Sequence, residues 1–274
     1  MLTSACVAAE EGGTAKKRTA ERGRYEFGIT GDQGKPGKPV RGGTLHFADY
    51  TEARSLSPAA TYATGASGGA AMAALYDVLM RYDTEAKKYE PWLAKSLRSS
   101  KDSRTWTLRL RDGVDFSDGT PLNAKAVAES IEWYQDSKGA DASLLAANIA
   151  RTEATDELTV VFTMRRPWAE FPARLAQAPG MIVAPAARAG KTFRPIGAGP
   201  FTLQKHAPQE EMILKANKDY WKGEPYLDAL RFTWPQSDRA RLEALDDGTA
   251  DVTYMRSPDV VDDAVGESHP ASSP

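Results

Sequence analysis

The stretch from residue 104 to residue 135 constrains this chain more than any other. Residues 104–111 read RTWTLRLR. Trp106, Leu108 and Leu110 fall on one side of an extended backbone, and Thr105, Thr107 and Arg109 on the other, which predicts a half-buried strand. A polar loop, DGVDFSDGTPLN, follows at once. Asn123 then caps a predicted helix over residues 124–135, with Val127, Ile131 and Tyr134 on one stripe. A period of two that passes into a helical period across one loop argues an α/β or α+β domain, in which a sheet buries one face against helices.

Shorter signals extend the pattern. Residues 44–49 alternate as a strand, and Ser55-Leu56-Ser57-Pro58 reads as a turn. Residues 67–80 place Ala71, Leu75, Val78 and Leu79 at helical spacing. DELTVVFTM (156–164) predicts a strand, residues 168–177 a short helix, and Met181-Ile182-Val183 a short strand ended by Pro185. Residues 201–205 and 211–216 form a predicted hairpin joined by HAPQE. Leu230, Phe232 and Trp234 alternate in a further strand. Ser237 caps a helix through Leu245, Gly248 stops it, and residues 250–255 make the last strand. No internal repeat is present. Residues 1–41 are rich in Gly, Lys, Arg and Glu with few large apolar side chains, a composition that does not offset ordering entropy, and they are expected to form a disordered tether. Residues 257–274 are expected to be an irregular tail. A domain that stops straight after a strand with no closing element reads as an incomplete chain.

Composition removes several functional classes. The 35 basic and 37 acidic residues leave a net charge of −2, so no global field draws the chain to nucleic acid or an anionic membrane. No run approaches the ~18 apolar residues of a membrane span. The lone cysteine, Cys6, excludes an internal disulfide and a cysteine-based zinc site. Three scattered histidines argue against a transition-metal centre, and no cofactor is expected.

Catalytic motifs are sparse. Gly65-Ala66-Ser67-Gly68-Gly69 matches G-x-S-x-G, but a nucleophile elbow needs a buried strand before its serine, and SLSPAATYAT is not one. There is no phosphate-binding G-x-x-x-x-G-K-[ST] loop. Gly197-Ala198-Gly199-Pro200 is too short for a dinucleotide fingerprint, and Pro200 stands where a helix would start. Asp112, Asp115 and Asp118 lack the spacing of a calcium loop and read as turn residues. Asp246 and Asp247, ahead of Gly248, read as a solvated turn.

Taken in order, TWTLRLRDGVDFSDGTPLNAKAVAESIEW, GAGPFTL, LKANKDYWKGEPYLDALRF and ALDDGTADVTYM resemble the family 5 extracellular solute-binding proteins, the peptide- and nickel-binding receptors of ABC importers. The resemblance runs from Gly43 to Met255. Most of its residues have a structural reading: Asp118-Gly119 is a turn, Pro121 restricts the entry to the helix, and Tyr220-Trp221 is a core anchor. It implies a periplasmic-binding-protein-like type II lobe over residues 42–256, with a mixed β-sheet flanked by helices and the second lobe largely missing. It implies a monomeric, extracytoplasmic receptor that captures a peptide or another small solute between two lobes and passes it to an ABC permease. Neither catalysis nor nucleic acid enters that picture. Nickel, sugars and opines share the scaffold.

The same resemblance places ligand contacts at strand ends: Thr61, Tyr62, Thr64 and Gly65 after the first strand, and Thr253, Tyr254 and Met255 at the last. Tyr254 is the leading candidate, and residues 142–145, ahead of a helix, are a weaker one. Thr3-Ser4-Ala5-Cys6 resembles the end of a lipoprotein signal, with Cys6 lipidated as the only membrane attachment. Two alternatives stand beside this reading. One is a serine hydrolase using Ser67; the other is a sensor or scaffold that binds a partner protein through the same fold.

Overall fold

The computed structural model describes residues 37–61, 65 and 67–266, the side chains of 265 and 266 excepted. The chain divides into two units, Met1–Pro39 and Val40–Pro274, and every element below belongs to the second. In chain order these are β1 (Thr44–Ala48), α1 (Gly69–Leu75), β2 (Met80–Asp83), β3 (Lys88–Pro91), β4 (Ala94–Ser99), β5 (Thr105–Leu110), α2 (Ala124–Gln135), α3 (Ala142–Asn148), β6 (Ile149–Ala154), β7 (Thr159–Met164), α4 (Phe171–Arg174), β8 (Phe201–Ala207), β9 (Glu211–Ala216), β10 (Ala229–Thr233), α5 (Asp238–Asp246), β11 (Val252–Thr253) and α6 (Pro258–Gly266).

β5 behaves as its alternation requires. Trp106, Leu108 and Leu110 are buried, while Thr107 and Arg109 face solvent. It lies inside an antiparallel four-stranded sheet of order β4-β5-β7-β6. The Asn123 carboxamide oxygen accepts the Ala126 N–H at 2.9 Å, starting α2 at the expected residue. α2 packs on β6 and β7 with Val127, Ile131 and Tyr134 buried, each worth about 2 kcal/mol of transfer free energy before entropy. In the loop between, the Asp118 carboxylate accepts the Thr120 N–H at 3.1 Å and its hydroxyl at 2.6 Å, so it closes a turn.

A second sheet has the order β11-β1-β10-β9-β8. β1 pairs in parallel with both β11 and β10, while β9 runs antiparallel to β10 and to β8. The carboxyl ends of β11, β1, β10 and β8 therefore share one edge with the start of β9: Ala48 stands opposite Thr233 and Thr253, and Glu211 opposite Thr233 and Ala207. β2 and β3 form a separate hairpin. Gly197 and Gly199 bring the GAGP segment against the end of α1. A Cβ on Gly197 would stand 2.3 Å from the Tyr76 ring, and one on Gly199 would stand 2.5 Å from the Ala74 carbonyl oxygen.

Several expectations change. The helix predicted over 67–80 is only Gly69–Leu75; Val78 bridges Met181, and Met80 opens β2. The helix predicted over 168–177 shrinks to Phe171–Arg174, because Pro172 has no N–H to give to residue 168 and is tolerated only in a first turn. Met181-Ile182-Val183 is buried but is not a strand; Met181 alone makes a bridge. The last strand shortens to Val252–Thr253, since β1 offers partners only at Phe47 and Ala48. Part of the expected irregular tail is helical, as α6. At the other end, residues 1–36 of the expected tether lie outside the described residues. Arg41, its last residue, is held: its guanidinium lies 4.7 Å from the Tyr226 ring centroid and donates to the Glu224 and Pro225 carbonyls at 3.3 and 3.2 Å.

Candidate functional site

A groove of about 600 Å³ opens at the carboxyl edge of the five-stranded sheet. Thr51, Glu52 and Arg54, from the loop after β1, form one wall; Thr61, Ser67 and Lys138 face the same space. Crevices outside the carboxyl ends of parallel strands are where open α/β sheets bind ligands, because loops diverge there and leave a cavity. The loop is held by its own carboxylate. One Glu52 oxygen lies 2.5 Å from His206 Nε2, and the other accepts the Gln209 N–H at 2.9 Å. These two bonds tie the loop to the end of β8 and the turn that follows it.

The end of β11 continues the edge. The Thr253 hydroxyl donates to the Ala48 carbonyl at 2.8 Å. Tyr254 is 45% exposed and meets the Tyr50 ring edge-on at 6.5 Å between centroids. Below this pair lies Arg241, only 2% exposed. Its guanidinium donates to the Tyr254 carbonyl at 3.0 Å and the Pro235 carbonyl at 2.7 Å, pairs with Asp238, and lies 5.2 Å from the Tyr50 ring centroid. The other Asp238 oxygen accepts the Ser257 and Arg256 N–H groups at 2.5 and 3.1 Å. Hydrogen bonds from Ser257 first, then from Arg256 and Arg241, hold the Asp238 carboxyl well below the usual carboxylate range against the opposing effect of burial. Asp49, also buried, shifts the other way. Burial raises it, and the Tyr50 N–H and the Arg241 charge only partly offset that.

The sequence-predicted contacts separate on this geometry. Thr61 lines the groove together with Ser67. Gly65 instead lines a smaller groove of about 370 Å³ beside α1, with Asp77 and Met181. Thr253 spends its hydroxyl on β1, and Met255 is half-buried. Tyr254 is exposed at the same edge as Thr61, joined to the groove wall through Tyr50, the residue before Thr51. Tyr62, Thr64 and Cys6 lie outside the described residues. Residues 142–145 do not precede a helix; they are the first turn of α3, with Ala142 and Leu145 in the core.

Around Ser67 the elbow context is missing. Residues 58–60 before it form a turn, and Gly68 takes a φ of 85° against Ala53. A hydrolase would need a histidine late in the chain; His206 is bound to Glu52, and His269 lies outside the described residues. Glu52, Arg54 and Lys138 in the groove, and Asp49, Tyr50 and Arg241 at the edge beside it, are residues that sequence reasoning passed over. The cue for Asp49, Tyr50, Glu52 and Arg54 is the run DYTEAR, polar and aromatic, directly after the first strand. Among the described residues, no group of three His, Cys, Asp or Glu side chains is placed to hold a metal ion, and no helix is long and apolar enough to cross a membrane.

Tyr220 and Trp221 resolve as anchors, as expected. The Asp77 carboxylate accepts the Trp92 and Trp221 indole N–H groups at 2.9 and 2.6 Å and the Tyr220 hydroxyl at 2.9 Å. Burial holds the Asp77 carboxyl above its ordinary value, with the three hydrogen bonds pulling it back. The same burial, and the carboxylate beside it, push the Tyr220 phenol far up.

Comparisons with known proteins agree with one another. Residues 88–269 match the family described as bacterial extracellular solute-binding proteins, family 5 middle. The chain is 31% identical over 191 residues to a nickel-binding periplasmic protein of Escherichia coli K12, covering 67% of this chain and 36% of that protein. It is 33% identical over 185 residues to a glutathione-binding protein, GsiB, of Escherichia coli O1:K1, again covering 36% of the relative. The solved structure of the periplasmic binding protein DppA from Helicobacter pylori, in complex with the peptide STSA, superimposes with a TM-score of 0.72 at 28% identity, over 85% of this chain and 50% of that one. The mixed sheets flanked by helices are thus those of a periplasmic-binding-protein-like type II fold. The chain spans about a third of the length of the curated relatives it matches.

Proposed function

This chain belongs to the family 5 bacterial extracellular solute-binding proteins, and from that premise we propose that it works outside the cytoplasm as the solute-capturing part of an ABC importer. Its solute is a peptide or a molecule of similar size and polarity, bound at the carboxyl edge of the β11-β1-β10 strands and handed to a membrane permease. No chemical step belongs to this reading. The observation that carries it is the groove at that edge, walled by the loop after β1 and continued by the exposed Tyr50–Tyr254 pair. Aromatic rings that are apolar on the face and polar at the tip suit the mixed surface of a short peptide. The hydroxyls of Thr51, Thr61 and Ser67 supply polar contacts within one groove.

Isothermal titration and thermal shift of the full chain test this with tri- and tetrapeptides, glutathione and Ni²⁺ as probes. At least one peptide is expected to bind, and Tyr254→Ala is expected to weaken it roughly tenfold, as removal of a central aromatic contact does. No binding by any probe, or labelling of Ser67 by a fluorophosphonate, overturns the reading.

A further inference from the structure

Charge at the groove says more about the solute than its shape does. Among the described residues that line the groove, the carboxylate is Glu52, and both of its oxygens are occupied by His206 and the Gln209 N–H. Three acids at the strand-end edge are also spent inside the protein. Asp238 is taken by Arg241, Arg256 N–H and Ser257 N–H, and Asp49 is buried against the Tyr50 N–H. Glu211, at the same sheet edge, sits between Lys205 and Arg231 at 2.7 Å from each.

The cations are not spent. Arg54 and Lys138 line the groove from opposite chain segments, both exposed, and among the described residues neither has a carboxylate partner. Arg256 is exposed at the continuation of the edge, with its guanidinium 4.9 Å from the Tyr50 ring centroid and no carboxylate partner among the described residues. A chain of net charge −2 thus sets two cations that have no carboxylate partner among the described residues in the groove, and a third at the edge beside it. Three hydroxyls, on Thr51, Thr61 and Ser67, lie in the same lining and can each donate to an oxygen.

We propose that the groove selects solutes bearing an oxyanion, a carboxylate or a phosphate, which Arg54 and Lys138 hold between them with the hydroxyls filling the remaining oxygen positions. Guanidinium and ammonium groups facing one concave space favour an anion twice over. They attract it at long range, and they form charge-assisted hydrogen bonds at contact. This rests on the solute-binding reading above and adds the chemistry of the bound group.

The test uses the full chain and four probes: N-acetyl-dialanine (a carboxylate), N-acetyl-dialanine amide (neutral), dialanine amide (cationic) and N-acetyl-O-phosphoserine amide (a phosphate with no carboxylate). At low salt, one or both oxyanion probes are expected to bind about tenfold more tightly than the neutral amide, with the preference shrinking as salt is raised. Which of the two is preferred identifies carboxylate or phosphate. Arg54→Gln combined with Lys138→Gln is expected to abolish the preference with the unliganded melting temperature unchanged. Lys101→Gln, on an exposed turn of the other sheet, keeps it. If the neutral or cationic amide binds as tightly as both oxyanions, or the double variant keeps the preference, oxyanion selection is wrong while solute binding stands. If none of the four binds while a tri- or tetrapeptide, glutathione or Ni²⁺ does, oxyanion selection is wrong and solute binding stands; if those fail as well, both are wrong.

Discussion

Arg241 shows how little of a site one residue's sequence context reveals. In DRARLEALDD it reads as an ordinary charge on an exposed helix face, yet it is buried and ties together Pro235, Asp238 and Tyr254. Nothing local forces that; the close approach of β10, α5 and β11 does. Removing one member of a buried ion pair commonly costs ~3–5 kcal/mol, because the other charge is stranded. Asp238 would keep two backbone donors, so the low end applies, and Arg241→Met is expected to lower the unfolding free energy by about 3 kcal/mol in urea titrations. A loss below about 0.5 kcal/mol, the range of ordinary surface substitutions, would sink the claim that this side chain pins the strand-end edge. That Thr61 would line a crevice and Tyr254 stand exposed at the sheet edge was legible, since a strand-end rule points to any loop after a predicted strand. Arg54 and Lys138 were not, because exposed cations are common, and only the groove distinguishes these two.

Elements were legible where one face is buried and opaque where neither is. β5, α2 and β9 carry their burial in their periodicity. β2 and β3 do not: MRYD and KYEP bury little beyond Met80 and are held by pairing with each other. β4 and β6 are the outer strands of their sheet, and their patterns follow their partners. The GAGP segment is the opposite case, a motif whose meaning is entirely in packing. Gly199 N–H donates to the Leu75 carbonyl at 3.2 Å, leaving no room for a side chain against the end of α1. Gly199→Ala is therefore expected to cost about 1–3 kcal/mol by overpacking, seen as a lower melting temperature. An unchanged melting temperature would mean that α1 yields without cost.

At the scale of the whole molecule, the buried and paired carboxylates give stability a definite pH shape. Asp238 and Glu211 are held below their ordinary range, so their contribution is complete above about pH 5 and is lost as pH falls through the ordinary carboxylate range towards their folded values. Asp77 and Asp49 are raised, so the folded state takes up their protons first and their burden at neutral pH is relieved on mild acidification. Stability should therefore change little, or rise slightly, between neutral pH and about 5, and then fall steeply below about 4. Asp238→Asn should flatten part of the lower limb. Urea midpoints that fall steadily from pH 7 would contradict this division of signs. The Arg41 contact with residues 224–226 has a mechanical consequence. The chain enters the fold at β1, which is hydrogen-bonded in parallel on both flanks. Tension applied through the residues before Val40 would load those two ladders in shear, all bonds at once, and the Arg41 grip on the segment leading into β10 would take the first strain. The fold thus meets a pull from its amino end with two ladders side by side rather than one bond after another.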